Sequence, residues 1–403
     1  MKGAEMIIPP LFICPISLDL LRDPVTLCTG QTYDRSSIEK WLAAGNLTCP
    51  VTMQKLHDPS IIPNHTLRHL IDQWLNSGTQ IDPVYLKIVD CDSSIAAIKH
   101  NLESNESTLE NKLEILDIIH ALADELPLQN SCLIQLDFFC LLLQVVFRNS
   151  EGLHFEENLR FVDKALISAL KLLPFSDLGA INMLKEESKF AYFVLLFEKG
   201  NMAIKKSLCH LVEAIAKGSE TKELCIKLGK SANLLQEIIH LVRNNSEAAA
   251  AEAGIKAISA LSSMESNREN LVKEGAVEEL MEHISKSKKQ ERSLAPMAVS
   301  IIENLLTLEC AKQVIMNHPS GVNALVKLVF RVSDHEGSES AVNSLLIICC
   351  DSKTASEEAI SSGVLTQLLL LLQSQCSGKT KTKARMLLKL LRSKWNEDSK
   401  HAL

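Results

Sequence analysis

The chain has 403 residues, room for two or three ordinary domains or for one small module followed by a repeat array. Hydrophobic residues make up 46%, charged residues 23% and aromatic residues only 4%, a balance that permits a packed core and favours stacked helices over a sandwich or barrel. A net charge of −7 gives no overall electrostatic footprint for nucleic acid.

In chain order, the apolar run at 7–13 (IIPPLFI) is short and interrupted by Pro9-Pro10, a poor match to a secretion signal. The longest apolar stretch elsewhere, Phe138–Phe147, falls well below the roughly 18 to 20 residues that cross a bilayer. Cysteines are scattered, and several, such as Cys140, Cys209 and Cys225, sit in apolar helical stretches. That usage suits reduced thiols in a cytoplasmic or nuclear protein.

Eight of the 12 prolines fall at or before Pro83. Proline is costly inside helices, so the first part is predicted to be turn-rich and the rest mostly helical. The boundary is placed in the polar stretch Asn76–Pro83, giving a module at 7–83 and a repeat domain at 84–403.

Within the module, a loop F-I-C-P-I-S-L-D-L-L-R-D-P (Phe12 to Pro24) leads into two short strands, V-T-L-C and Q-T-Y, joined by a tight turn at Thr29-Gly30. A helix follows over D-R-S-S-I-E-K-W-L, with Asp34 as N-cap, a Ser36-x-x-Glu39 capping box, and Ile38, Trp41 and Leu42 on one face. A second loop, T-C-P-V-T-M (Thr48 to Met53), precedes a helix capped by Asn64, whose Leu67, Leu70, Ile71, Trp74 and Leu75 form an apolar stripe.

So small a module usually needs a metal or disulfide staple. Cys14, Cys28 and Cys49 are its only cysteines and none belongs to a C-x-x-C pair; Ser17 stands where the partner of Cys14 would be. Structural zinc takes four ligands, commonly from such pairs, so a zinc-free module is expected. Its loops must then be braced by polar groups, with Asp19, Arg22, Asp23, Asp34, Arg35 and Asn64 as candidates.

Beyond the module, Gly229, Gly275, Gly321 and Gly363 recur at spacings of 46, 46 and 42 residues, each followed by a similar amphipathic segment (SANLLQEIIHLV, AVEELMEHIS, VNALVKLVFR, VLTQLLLLLQ). A period in the low-to-mid forties with two or three helices per unit fits an armadillo- or HEAT-type solenoid. Repeats between 84 and about 200 are too degenerate to count.

The final segment carries Lys379, Lys381, Lys383, Arg385, Lys389, Arg392 and Lys394 with no acid before Glu397. It reads first as the capping helix of the array. The lesser reading is a membrane contact through 379–395, with Leu387, Leu388, Leu391 and Trp395 on the apolar side.

The runs F-I-C-P-I-S-L-D-L-L-R-D-P-V, T-G-Q-T-Y-D-R-S-S-I-E-K-W-L, C-P-V-T and I-P-N-H-T-L-R-H-L-I resemble the U-box. With the downstream repeats, the whole chain is similar to plant U-box/armadillo ubiquitin ligases. The resemblance implies a mostly α protein: a small zinc-free RING-like α+β module, then an armadillo-type α-solenoid. It further implies that the module docks a ubiquitin-conjugating enzyme through Ile16 and Leu18 of the first loop, Trp41 of the helix and Pro50 of the second loop. The solenoid would hold the protein substrate.

In many such modules an arginine or lysine shortly after the second-loop proline contacts both the conjugating enzyme and ubiquitin. Met53 occupies that place here and lacks a donor, which implies a weaker activator, with Lys55 as a nearby aid. No cofactor and no cysteine nucleophile are implied. Cys349-Cys350 lie in the apolar stretch SLLIICC and are expected to be buried and inert. A second reading from a different class is a non-catalytic armadillo scaffold that uses the module for assembly; a third is a transport-receptor-like solenoid.

Overall fold

The computed structural model describes residues 9–77, 98–104, 107–125, 132–148, 155–243, 248–286, 294–331 and 336–401. The chain divides into two compact units, Met1–Ser104 and Asn105–Leu403. The proposed boundary at Asn76–Pro83 lies largely outside the described residues, as do the side chains of Trp74, Leu75 and Trp395.

In the first unit, strands β1 (Pro24–Thr26) and β2 (Thr32–Asp34) form the expected hairpin, with Val25 opposite Tyr33. Gly30 supplies the positive φ of +78° that its turn requires. A third strand, β3 (Ile62–Pro63), pairs antiparallel with β1 and makes the sheet order β2-β1-β3. No sequence pattern predicts it. Only two residues long, it holds a proline that an edge strand tolerates.

Helix α1 (Arg35–Ala43) follows β2 directly. Ile38 is buried in the core, and Trp41 and Leu42 pack against it from the rim. The capping box does not form. Asp34 holds the N-cap position but its carboxylate makes no cap bond to the helix backbone; Oδ1 instead accepts the backbone N–H groups of Arg22 at 2.8 Å and Asp23 at 3.0 Å. Ser36 is already inside the helix and donates to Asp34 Oδ2 at 2.7 Å. A carboxylate that satisfies the incoming loop is no longer available to the helix end. Helix α2 (His65–Ser77) is capped as expected, Asn64 Oδ1 accepting from Leu67 N at 3.0 Å, and it buries Leu67, Leu70 and Ile71.

In the second unit, helices come in threes. Met202–Lys217, Lys222–Lys230 and Ala232–Arg243 make one repeat; Ala248–Ser262, Glu265–Lys273 and Ala276–Lys286 the next. Ala295–Leu305, Glu309–Asn317 and Gly321–Val329 follow, then Glu336–Asp351, Lys353–Ser361 and Val364–Gln373. The first helices of successive repeats pack on one another, as do successive third helices, so each repeat buries its stripe on its neighbours.

The degenerate region obeys the same plan: Leu109–Glu125, Cys132–Gln135 and Phe138–Arg148, then Phe155–Leu172, the 3-10 segment Leu178–Lys185 and Glu187–Lys199. A 3-10 turn in place of a second α-helix hides the period from the sequence.

The four registered glycines turn out to serve different ends. Gly275 and Gly363 precede a third helix with φ of +93° and +85°, a region that side chains disfavour. Gly229 lies inside a second helix, where a Cβ would fall 2.2 Å from Asn267 Cγ. Asn267, fully buried, donates to the carbonyls of Cys225 (3.2 Å) and Leu261 (3.3 Å), and so ties one repeat to the previous one.

The last helix, Gly378–His401, packs on Glu336–Asp351 and Val364–Gln373. Its apolar residues Ala384, Leu387 and Leu391 are buried there, so that face is not free for a bilayer. No described helix is long and apolar enough to cross a membrane.

Candidate functional site

Two hexapeptides build the site, Cys14-Pro-Ile-Ser-Leu-Asp19 and Cys49-Pro-Val-Thr-Met-Gln54. They fold alike. In the first, Cys14 N donates to Asp19 O and Leu18 N to Cys14 O, both at 2.8 Å. In the second, Cys49 N donates to Gln54 O at 2.9 Å and Met53 N to Cys49 O at 2.8 Å. Each is flanked by one antiparallel bridge, Ile13 with Leu20 and Thr48 with Lys55. Ser17 Oγ and Thr52 Oγ1 each accept the backbone N–H two residues on, at 3.4 Å.

The match extends to the backbone: Leu18 has φ +59° and Met53 φ +58°. That left-handed region costs a large side chain roughly 1 kcal/mol or more, and glycine or asparagine is its usual tenant. Both positions instead carry long apolar side chains that face solvent, Leu18 being 75% and Met53 69% exposed.

The cysteines hold the loops from inside by hydrogen bonds. Cys14 Sγ, buried, accepts from Asp34 N at 3.3 Å. Cys49 Sγ, also buried, accepts from Thr29 Oγ1 at 3.3 Å and lies 3.0 Å from Tyr33 OH. Because Val51 N donates to that phenol at 3.2 Å, the phenolic proton is left to point at the sulfur.

Burial raises the Cys49 thiol, but the hydroxyls of Thr29, Thr52 and Tyr33, with a backbone N–H of Thr52, outweigh it and lower the thiol to about 6. Burial likewise opposes ionisation of Cys14, and backbone donors led by Asp34 N overcome it. Tyr33 moves the other way, raised by burial and by the sulfur beside it. Among the described residues no group of three His, Cys, Asp or Glu side chains is placed to hold a metal.

Of the polar braces expected from sequence, Asp23, Asp34, Arg35 and Asn64 are in place. Arg35 Nε meets Asp23 Oδ2 at 2.6 Å, and Arg68, not singled out in advance, reaches Asp23 Oδ1 at 3.8 Å. These partners are half exposed, so each pair is worth about 1 kcal/mol or less. Asn64 Nδ2 reaches Thr26 Oγ1 at 3.3 Å and Thr32 Oγ1 at 3.4 Å, joining α2 to the hairpin. Burial raises the Asp34 carboxyl, yet the N–H groups of Asp23 and Arg22 and the Ser36 hydroxyl hold it below the ordinary range. Arg22 contributes only its backbone; Asp19 contributes its carbonyl.

Trp41 links α1 to the second loop, donating from Nε1 to Thr48 O at 2.9 Å, and is half-buried, as are Ile16 and Pro50. Ile16 packs its inner side on the core while Leu18 points out. The site-facing residue that sequence reasoning missed is Val51, exposed and matched to Ile16 across the two hexapeptides. The internal likeness of CPISLD and CPVTMQ was the signal that could have found it.

Of the other thiols, Cys349 is buried, but its neighbour Cys350 is exposed, contrary to expectation, because adjacent residues on a helix point about 100° apart.

A family model described as the plant U-box protein ARM repeat region matches residues 94–401, and one described as the U-box domain matches residues 8–80. The chain is 31% identical to U-box domain-containing protein 26 of Arabidopsis thaliana over 97% of its own length and 93% of that protein. It is 30% identical to U-box domain-containing protein 25 of the same plant, covering 96% and 92%. To the Arabidopsis thaliana E3 ubiquitin-protein ligase PUB23 it is 29% identical, covering 98% and 95%.

Proposed function

The chain belongs to the plant U-box/armadillo-repeat protein family, and on that footing we propose that it is a ubiquitin-protein ligase that docks a ubiquitin-charged conjugating enzyme on its U-box. In this reading residues 7–83 form the docking module and 84–403 the substrate-holding array. Ile16, Leu18, Trp41 and Pro50 contact the conjugating enzyme, with Val51 added beside them. The observation that carries the proposal is the pair of large apolar side chains, Leu18 and Met53, kept exposed at positive φ. Backbone strain at a solvent-facing position supports a role for that side chain outside the fold. A small transient interface of this kind relies on a few apolar anchors at its centre.

The reaction asks no nucleophile of this chain. The thioester belongs to the conjugating enzyme and the attacking amine to a substrate lysine. The ligase contributes proximity and orientation, holding the loaded ubiquitin ready for attack. Cysteines scattered through apolar helical stretches support a reducing compartment such as the cytosol or nucleus.

Autoubiquitination with activating enzyme, conjugating enzyme, ubiquitin and ATP tests the reading. Wild type is expected to modify itself, and Leu18→Ala, which removes no buried contact, to lose about tenfold or more of the rate. Met53→Arg, which restores a donor at the second-loop position, is expected to raise the rate several-fold. A wild-type chain that stays unmodified with a broad panel of conjugating enzymes would establish the scaffold reading instead.

A further inference from the structure

The third helix of each repeat presents two apolar positions that the next repeat covers. Leu235 and Ile239, Val277 and Met281, and Val322 and Val326 hold them in three successive repeats, and all six side chains are buried. Leu365 and Leu369 hold the same places on helix Val364–Gln373, yet they are 38% and 54% exposed. The described residues cover them only in part.

A further position departs from the pattern. The residue after the second of these is His240, Glu282 and Lys327 in the earlier repeats, a polar series at a surface position. Here it is Leu370, 40% exposed. A terminal repeat normally turns a polar face to water. This one turns three leucines to it, a contiguous apolar strip on one helix.

The surroundings set the charge of whatever fits. Helix Gly378–His401 packs beside Val364–Gln373, and its Lys379, Arg385, Lys389 and Arg392 are exposed. Lys383 is held by Glu339 at 3.2 Å. The apolar strip therefore runs beside a basic helix. A second copy of the same face would set like charges against one another.

We propose that this end face docks an amphipathic α-helix of a partner protein, apolar on one side and acidic along its flank, seated where the third helix of a further repeat would lie. Each earlier repeat shows the geometry, since third helix packs on third helix along the array. Leu365 and Leu369 take the partner's apolar stripe, as in other helix-in-groove recognition. Leu370 widens the strip, and Arg385, Lys389 and Arg392 supply the charge preference. The site is independent of the conjugating-enzyme surface, so its test reads binding and not ubiquitin transfer.

The probe is an amphipathic helical peptide with leucine every third or fourth residue and glutamate flanks, alongside a twin with lysine flanks, titrated by fluorescence anisotropy against the full chain. The acidic peptide is expected to bind at least about tenfold tighter than its twin, and less tightly as salt rises. Leu369→Asp is expected to weaken it by about tenfold or more with an unchanged melting temperature, since the side chain is largely exposed. Combined charge reversal at Arg385 and Lys389 is expected to remove the preference between the twins on a chain that melts normally. Equal binding of the two peptides to wild type would overturn the proposal whether or not the variants fold. So would Leu369-dependent sedimentation with anionic phospholipid vesicles, or Leu369-dependent self-association, in place of peptide binding.

Discussion

Cys49 shows how single side chains take over the work of a staple. Its sulfur gathers donors from Thr29 and Tyr33, 20 and 16 residues away, and so pins the second loop to the hairpin. A thiol lowered to about 6 from its ordinary 9.0 stabilises the fold through its charged form. That contribution is complete above about pH 9 and is lost as pH falls through about 6. The stability difference between wild type and Cys49→Ser is therefore expected to grow from pH 6 to pH 8.5, by at most about 1.4 kcal/mol per pH unit. Urea unfolding followed by tryptophan fluorescence measures it, since Trp41 and Trp74 both belong to the module. A difference that stays flat with pH would mean that the thiol remains neutral. The two loops are legible in their C-P-hydrophobic motifs, but a sulfur's partners across the fold leave no local pattern to count.

At the scale of elements, sequence and structure agree where periodicity is local and part where contacts are distant. Asn64 capped its helix as read, because a cap acts over three residues. Asp34 did not, because the N–H groups of Arg22 and Asp23 claim its carboxylate. The two-residue strand Ile62–Pro63 and the 3-10 segment Leu178–Lys185 are too short or too irregular to carry a period.

The repeat spacing was legible, but the reason for Gly229 was not: it makes room for Asn267 of the next repeat. Gly229→Ala is expected to displace that amide from two buried carbonyls and to cost roughly 2–4 kcal/mol. In an Asn267→Ala background the same substitution should cost far less. Thermal unfolding of the four chains checks this, and equal costs in both backgrounds would place the strain elsewhere.

Across the whole molecule, each unit keeps its own logic. The solenoid is a sum of repeats, each covering the stripe of the one before, until Leu365 and Leu369 are left partly exposed. The module is small and held by thiol, amide and carboxylate hydrogen bonds around a core of Phe12, Leu21, Val25, Tyr33 and Ile38. Membership of the family was legible in the ordered motifs of residues 12–71. The pairing of Leu18 with Met53 was not, because only the backbone reveals that both sit at positive φ.

On the proposed function, this hydrogen-bonded module engages a thioester-charged carrier and speeds its discharge without a metal. Single-turnover release of ubiquitin from a charged conjugating enzyme to free lysine, run with the full chain after exhaustive treatment with a strong chelator, tests it most directly. The expected rate is well above that of the charged enzyme alone and unchanged by chelation. Acceleration that disappears on chelation and returns with zinc, or none with any conjugating enzyme tried, would contradict it.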